Sequence, residues 1–225
     1  MERNQKLTED VKKYCEKIGV DVVGIANPSL FNRFPEDFRP QAYLDDTMAV
    51  IIIGFHLYDL MLDAWNYKEG TNRSYQFADS IIENFCHKIK KYLRKNGFKA
   101  EVISYKPGLF LKDSAALAGI GPIGKNNLLI TATYGSQVRL RAIITNAPLV
   151  YGDPIQESKY CKNCNICIEA CPANAFVNGK YTKSICDEWA RANWEIISQH
   201  TVIWCNVCIE VCPVTKKKRG KSSTR

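Results

Sequence analysis

The sequence predicts an α+β protein in two parts, and three observations carry that reading. Helical and strand periodicities alternate over the first 150 residues. Eight of the ten cysteines fall between positions 161 and 212. Between these regions lies "APLVYGDPIQESK" (147–159), which has neither periodicity and holds two prolines. We therefore expect an α/β domain over 1–150, a small cysteine-rich domain over 151–215 and a disordered basic tail over 216–225.

The elements follow in order. "TEDVKKYCEKIG" (8–19) reads as a helix, with Thr8 as N-cap and Val11, Tyr14, Cys15 and Ile18 on one apolar stripe. "VDVVGIA" (20–26) reads as a strand. Three prolines (Pro28, Pro35, Pro40) make 27–47 an irregular connection, and "AVIIIGFHL" (49–57) reads as a buried strand. Residues 58–74 carry no clear signal. A long helix over 75–96 places Ile82, Phe85, Cys86, Ile89, Tyr92 and Leu93 at helical spacing and stops at Gly97. "KAEVISY" (99–105) is a strand and "KDSAALAGI" (112–120) a small-residue helix. "NLLITATYGSQVRLRAIITN" (127–146) reads as a β-hairpin turning at Gly135-Ser136.

Composition bounds the function classes. An apolar fraction of 46% is enough for a real core. The longest apolar stretch, "MAVIIIGF" (48–55), is strand-sized, so no membrane span is expected. The charged N-terminus has no secretory pattern, which points to the cytoplasm. In that compartment clustered cysteines are metal ligands rather than disulfides. Six basic residues from Lys216 onward supply most of the net charge of +8, leaving the body near neutral. A solvated tail and a nonspecific RNA or phosphate contact both fit that distribution.

The cysteines have a spacing that is hard to read otherwise. "CKNCNICIEACP" (161–172) is C-x2-C-x2-C-x3-C-P, and "CNVCIEVCP" (205–213) repeats most of it. In the bacterial ferredoxin run the first three thiolates serve one cubane and the fourth serves the other. Cys186 supplies the thiol that the second run lacks. By crossed ligation, one 4Fe–4S cluster takes Cys161, Cys164, Cys167 and Cys212. The other takes Cys171, Cys186, Cys205 and Cys208. Structural zinc prefers two separated C-x2-C knuckles, which this is not. Such clusters move single electrons at low potential and seldom perform the organic step. The upstream domain must hold an acceptor or dock one.

Upstream, "KDSAALAGIGPIGKNNLLITATYGSQVRLRAIITNAPL" (112–149) is the informative segment. A small-residue helix, GIGPIGKN, an LLI strand and the Tyr134–Ser136 turn resemble epoxyqueuosine reductases. "IGVDVVGIA" (18–26), "AVIIIGF" (49–55) and the two-cluster module with its isolated Cys186 resemble them too. The likeness covers roughly residues 8–215. With the related reductive dehalogenases, that family implies a nitroreductase-like or cobalamin-trafficking-like α/β sandwich joined to a bacterial-ferredoxin-like domain. It implies cobalamin beside one cluster, with Gly119, Gly121, Gly124, Lys125 and Asn126 as candidate contacts; flavin is the alternative. Tight turns and close packing explain the same glycines without a cofactor.

Two departures shape the expected activity. Epoxyqueuosine reductases carry an acidic proton donor where this chain reads "VISYKPGLF" (102–110), with Ser104 or Tyr105 at that place. The resemblance to dehalogenases, which use a tyrosine, makes Tyr105 the candidate catalytic donor; an ordinary strand-end aromatic is the plain alternative. The helical repeat region that helps full-length epoxyqueuosine reductases hold tRNA has no counterpart here, so a short form is expected and tRNA is disfavoured. The leading expectation is a corrinoid-dependent iron–sulfur reductase of a small organic substrate, fed by a low-potential donor such as ferredoxin or flavodoxin. The alternatives are an electron-transfer protein serving a corrinoid or flavin on a partner, and a tRNA-modifying reductase. His56, His87 and His200 have no metal-site spacing.

Overall fold

A computed structural model describes residues 2–66 and 75–216. Most of the basic tail (217–225) and part of the unassigned stretch (67–74) lie outside the described residues. In chain order come α1 (Gln5–Lys17), β1 (Val22–Ala26), β2 (Ala49–His56), β3 (Trp65–Asn66), β4 (Tyr75–Gln76), α2 (Phe77–Lys95), β5 (Ala100–Val102), α3 (Leu111–Leu117) and β6 (Val138–Thr145). The cysteine-rich stretch adds α4 (Ile166–Glu169), β7 (Phe176–Val177), β8 (Lys180–Tyr181), α5 (Lys183–Ala192), β9 (Glu195–Ser198), β10 (Thr201–Ile203), α6 (Val207–Glu210) and α7 (Pro213–Lys216).

Contacts group the chain into two units. The first is Met1–His56, Ile81–Gly121 and Arg139–Gln156; the second is Leu57–Ser80, Pro122–Val138 and Glu157–Arg225. The single sequence cut near 150 differs from this division. Two upstream stretches fold with the cysteine-rich one: β3 and β4 join β10 and β9 in one sheet of order β4-β3-β10-β9, and 122–138 is tied to it by Lys125, Asn126 and Ser136. Pairing across more than 100 residues leaves no trace in local composition.

In the first unit a four-stranded sheet runs β1-β2-β6-β5. Antiparallel pairing sets Ile25 opposite Ile51 and Val102 opposite Ile143. On β2, Ala49, Ile51 and Ile53 share a core with Val11 and Cys15 of α1 and with Ile82, Cys86, Ile89 and Leu93 of α2. Tyr14 and Tyr92 stack at 4.3 Å where the two helices meet. Both predicted helical stripes thus face one side of the sheet. Val50 and Ile52 are also fully buried, on the opposite side. A strand alternates its faces, so burial of both marks a strand covered twice.

The second cover is α3 and the turn after it. Gly24 pairs with Ile52, and a Cβ on Gly24 would lie 2.6 Å from Ile120 Cγ1 and 2.8 Å from the Ala118 carbonyl oxygen. We expect Gly24→Ala to destabilise the protein by about 1–3 kcal/mol through overpacking. Urea unfolding measures this; an unchanged midpoint would show that the α3 layer yields freely.

Two element expectations change. Helix α1 begins four residues early: Asn4 is its N-cap, accepting the Leu7 N–H at 2.9 Å. Thr8 instead lies inside the helix, buried, accepting the Val150 N–H at 2.8 Å. The predicted 127–146 hairpin keeps only its second strand, β6. Residues before it form turns, with isolated bridges Ile123–Leu129 and Thr131–Gly135. The apolar Leu129 and Ile130 are buried as a turn, while β6 finds its neighbours in β2 and β5.

Candidate metal centre

The cysteine pseudo-repeat is repeated in three dimensions. ICIE (166–169) and VCIE (207–210) each form one helical turn, α4 and α6. They are entered by Asn165 at φ −123°, ψ 9° and by Asn206 at φ −116°, ψ 10°. Each turn closes on its last cysteine, Cys171 N–H to Ile168 and Cys212 N–H to Ile209, both at 3.3 Å. Like sequence makes like local structure twice, and α4 packs on α6.

Four of the eight cysteines share one cavity. Cys161, Cys164, Cys167 and Cys212 line one cavity, walled by Asn126, Ile130, Tyr160, Pro213 and Val214. Burial pushes the Cys167 thiol up, and Cys161, Cys164 and Cys212 push it further. Burial likewise raises the Cys205 thiol, with Cys186 and Cys171 adding to it and the Val207 N–H opposing. Cys208 is pushed up to about 12 by burial, then by Cys205, Cys186, Cys167 and Cys171. Cys171 and Cys186 thus lie near both Cys205 and Cys208, and Cys167 of the first run also lies near Cys208.

The donor set fits iron–sulfur clusters. All ten cysteines are free thiols. Burial and neighbouring thiols push Cys167, Cys205 and Cys208 up, a penalty on the thiolate that a coordinated metal removes. The Ala175 N–H donates to Cys171 Sγ at 3.5 Å. Among the described residues, no three His, Cys, Asp or Glu side chains converge on a single ion. Zinc draws four sulfurs in to about 2.3 Å. A cubane instead gives each thiolate its own iron, so its sulfurs stand further apart.

The GIGPIGKN segment serves these loops. Lys125 Nζ donates to the Cys164 carbonyl at 3.0 Å and to Asn165 Oδ1 at 2.8 Å. Buried Asn126 donates through Nδ2 to the Cys208 carbonyl at 3.3 Å and accepts the Leu128 N–H at 3.2 Å. Gly124 lies against Ile130, where a Cβ would be 2.4 Å from Cδ1; Gly119, at φ +76°, lies against the Asp153 carbonyl, where a Cβ would be 2.7 Å away. Gly121 is buried. Four of the five residues named for a corrinoid, Gly119, Gly124, Lys125 and Asn126, thus direct these bonds and close approaches to protein atoms. Sequence reading missed the strap role, because a lysine and an asparagine in a loop carry no partner in their names. It also missed Tyr181, whose ionisation is suppressed first by burial and then by the neighbouring Cys186.

Tyr105 lies in the first unit, just after β5, and is 38% exposed. Its ring carries the Arg141 guanidinium 3.8 Å from the centroid, and its hydroxyl donates to the Leu140 carbonyl at 3.4 Å. Arg141 is buried, bonding Glu83 Oε2 at 3.1 Å and the Ile103 carbonyl at 3.4 Å.

No family model matches the chain. An epoxyqueuosine reductase from Bacillus anthracis is 28% identical over 205 residues, covering 78% of this chain and 53% of its own. A tetrachloroethene reductive dehalogenase from Dehalobacter restrictus is 26% identical over 188 residues, covering 83% of this chain and 32% of its own. The chain is similar to both families. It spans about half the length of the epoxyqueuosine reductase it matches. Among solved structures, a selenomethionine-labelled epoxyqueuosine reductase superposes with a TM-score of 0.74 at 21% identity, over 95% of this chain and 66% of that one. A catabolic reductive dehalogenase in complex with 3-bromo-4-hydroxybenzoic acid gives 0.69 at 18%, over 94% and 32%. At these identities the structures establish a shared mixed α/β fold. The sequence relatives are reductases, which supports an oxidoreductase role. No helix among the described residues is long and apolar enough to cross a membrane.

Proposed function

We propose that this chain is an iron–sulfur reductase that passes low-potential electrons through two 4Fe–4S clusters to cobalamin, for reduction of an organic substrate. The observation that carries this reading is the pair of interleaved thiol sets on pseudo-symmetric turns. When bound, such clusters supply one-electron transfer at low potential. Cys161, Cys164, Cys167 and Cys212 would hold one, and Cys171, Cys186, Cys205 and Cys208 the other. Ile130, Tyr160, Pro213 and Val214 line the first site and shield it from water. A low-potential donor such as ferredoxin or flavodoxin is proposed to feed them.

Cobalamin is supported by likeness alone. A reductive dehalogenase structure of TM-score 0.67 is described as suggesting a mechanism for B12-dependent dehalogenation. The donors expected to grip a corrinoid, Lys125 and Asn126, bond the cysteine loops, so no step is derived through it. The decisive experiment is anaerobic reconstitution with iron, sulfide and cobalamin. We expect about eight irons per chain and one retained corrinoid. Eight irons without corrinoid would favour electron delivery to a corrinoid or flavin on a partner protein, and a flavin spectrum would replace cobalamin in the reading.

A tRNA substrate is a second reading. An epoxyqueuosine reductase structure with an epoxyqueuosine-modified tRNA stem loop superposes with a TM-score of 0.70. Helix α2 also lines a surface hollow with His87, Lys90, Lys91, Arg94 and Lys95. Glu101 neutralises part of that charge, at 2.7 Å from Lys90 and 2.6 Å from Arg94. Binding of a tRNA stem loop that weakens steeply with salt would support this reading; no binding at low salt would remove it.

A further inference from the structure

We infer that Lys125 sets the reduction potential of the cluster held by Cys161, Cys164, Cys167 and Cys212, raising it above that of the second cluster. The inference rests on the two-cluster reading and adds a residue that is not a ligand. The loop 124–128 is built to place that residue. Gly124 N–H bonds the Leu128 carbonyl at 2.8 Å and Asn127 N–H bonds the Gly124 carbonyl at 2.9 Å. Asn127 itself adopts a left-handed conformation at φ +56°. The tight turn throws two adjacent side chains onto two different cysteine loops. Asn126, uncharged and buried, takes the Cys208 carbonyl. Lys125, charged, takes the Cys164 carbonyl and Asn165, directly on the first run.

The asymmetry has an electrostatic consequence. Reduction adds one negative charge to a cluster, so a fixed ammonium nearby stabilises the reduced form and raises the potential. Lys125 is half-buried, where solvent screening is weaker than at a fully exposed site. Its two bonds hold the charge against the Cys164 loop, whereas the matching contact to the second run is a neutral amide. The first cluster is therefore the easier of the two to reduce, and electrons entering at the second run downhill to it.

The test is a redox titration of the anaerobically reconstituted chain with dithionite, followed by EPR, without corrinoid or substrate. We expect Lys125→Gln to weaken the first cluster's reduction equilibrium about tenfold, a fall of about 59 mV for one electron. Lys125→Arg should restore most of it, and the second cluster should stay put. Exposed Lys162 is the control, and Lys162→Gln should shift neither cluster comparably. Should Lys125→Gln lose the first cluster, Asn165→Leu keeps the charge but removes one of its two anchors; a smaller fall in the same cluster is then expected. Unchanged potentials in a fully loaded variant, or equal shifts in both clusters, overturn the inference and leave the two-cluster reading intact. A wild-type chain that binds no iron overturns both.

Discussion

Replacing Cys212 with alanine should destroy the cluster whose other three ligands lie more than 40 residues away, and spare the one formed around Cys205. The Cys161, Cys164 and Cys167 residues line one cavity with Cys212, whereas Cys171 and Cys186 lie near Cys205 and Cys208. Each single loss should remove about half of the bound iron, because a 4Fe–4S cubane with three thiolates is poorly held. The EPR spectrum of Cys212→Ala should match that of Cys161→Ala, and that of Cys171→Ala should match Cys205→Ala. Residues that act on one cluster are not additive. Cys161→Ala with Cys212→Ala should therefore lose no more iron than either alone, while Cys161→Ala with Cys171→Ala should lose nearly all. If Cys212→Ala spared the Cys161 cluster and lowered the Cys205 signal, the crossed grouping would be wrong. Turnover should vanish in every single variant, since a broken relay delivers nothing.

What could be read from sequence was what is local. The α1 and α2 stripes name residues that do face the core, because 3.6-residue periodicity and burial are two views of one fact. The doubled CNxCIExCP predicts two like turns, and α4 and α6 are those turns. Crossed grouping is an expectation from sequence, because a known cluster spacing constrains residues far apart, and the iron counts of the cysteine variants test it. The missed features are non-local. The apolar residues of 127–134 suit a strand, but they pack as a turn beside the cysteine loops. GIGPIGKN reads equally well as a cofactor cradle or a strap, and only its partners, the carbonyls of Cys164 and Cys208, distinguish the two. The same holds for the division of the chain, since two-residue strands such as β3 have no periodicity to detect.

Tyr105→Phe is expected to lower turnover about 10²–10⁴-fold, the range lost with a general acid, while iron content and unfolding midpoint stay at wild-type values. The geometry behind this proposal is a phenol with its ring under a buried guanidinium. Arg141 lies 3.8 Å from the ring centroid and is fixed by Glu83 and the Ile103 carbonyl. The cation–π contact holds the ring in one orientation. The tyrosine keeps 38% exposure, enough to meet a substrate and regain a proton from water. Phenylalanine preserves the stack on Arg141 and removes the hydroxyl with its 3.4 Å bond to the Leu140 carbonyl, so a folding defect is not expected. Arg141→Lys should lower turnover but leave it measurable, because a lysine seats less squarely on the ring. A merely structural arginine would change the unfolding midpoint and leave turnover per folded molecule where it was. Wild-type turnover in Tyr105→Phe would return Tyr105 to an ordinary aromatic at a strand end and send the search for the proton donor elsewhere in the first unit.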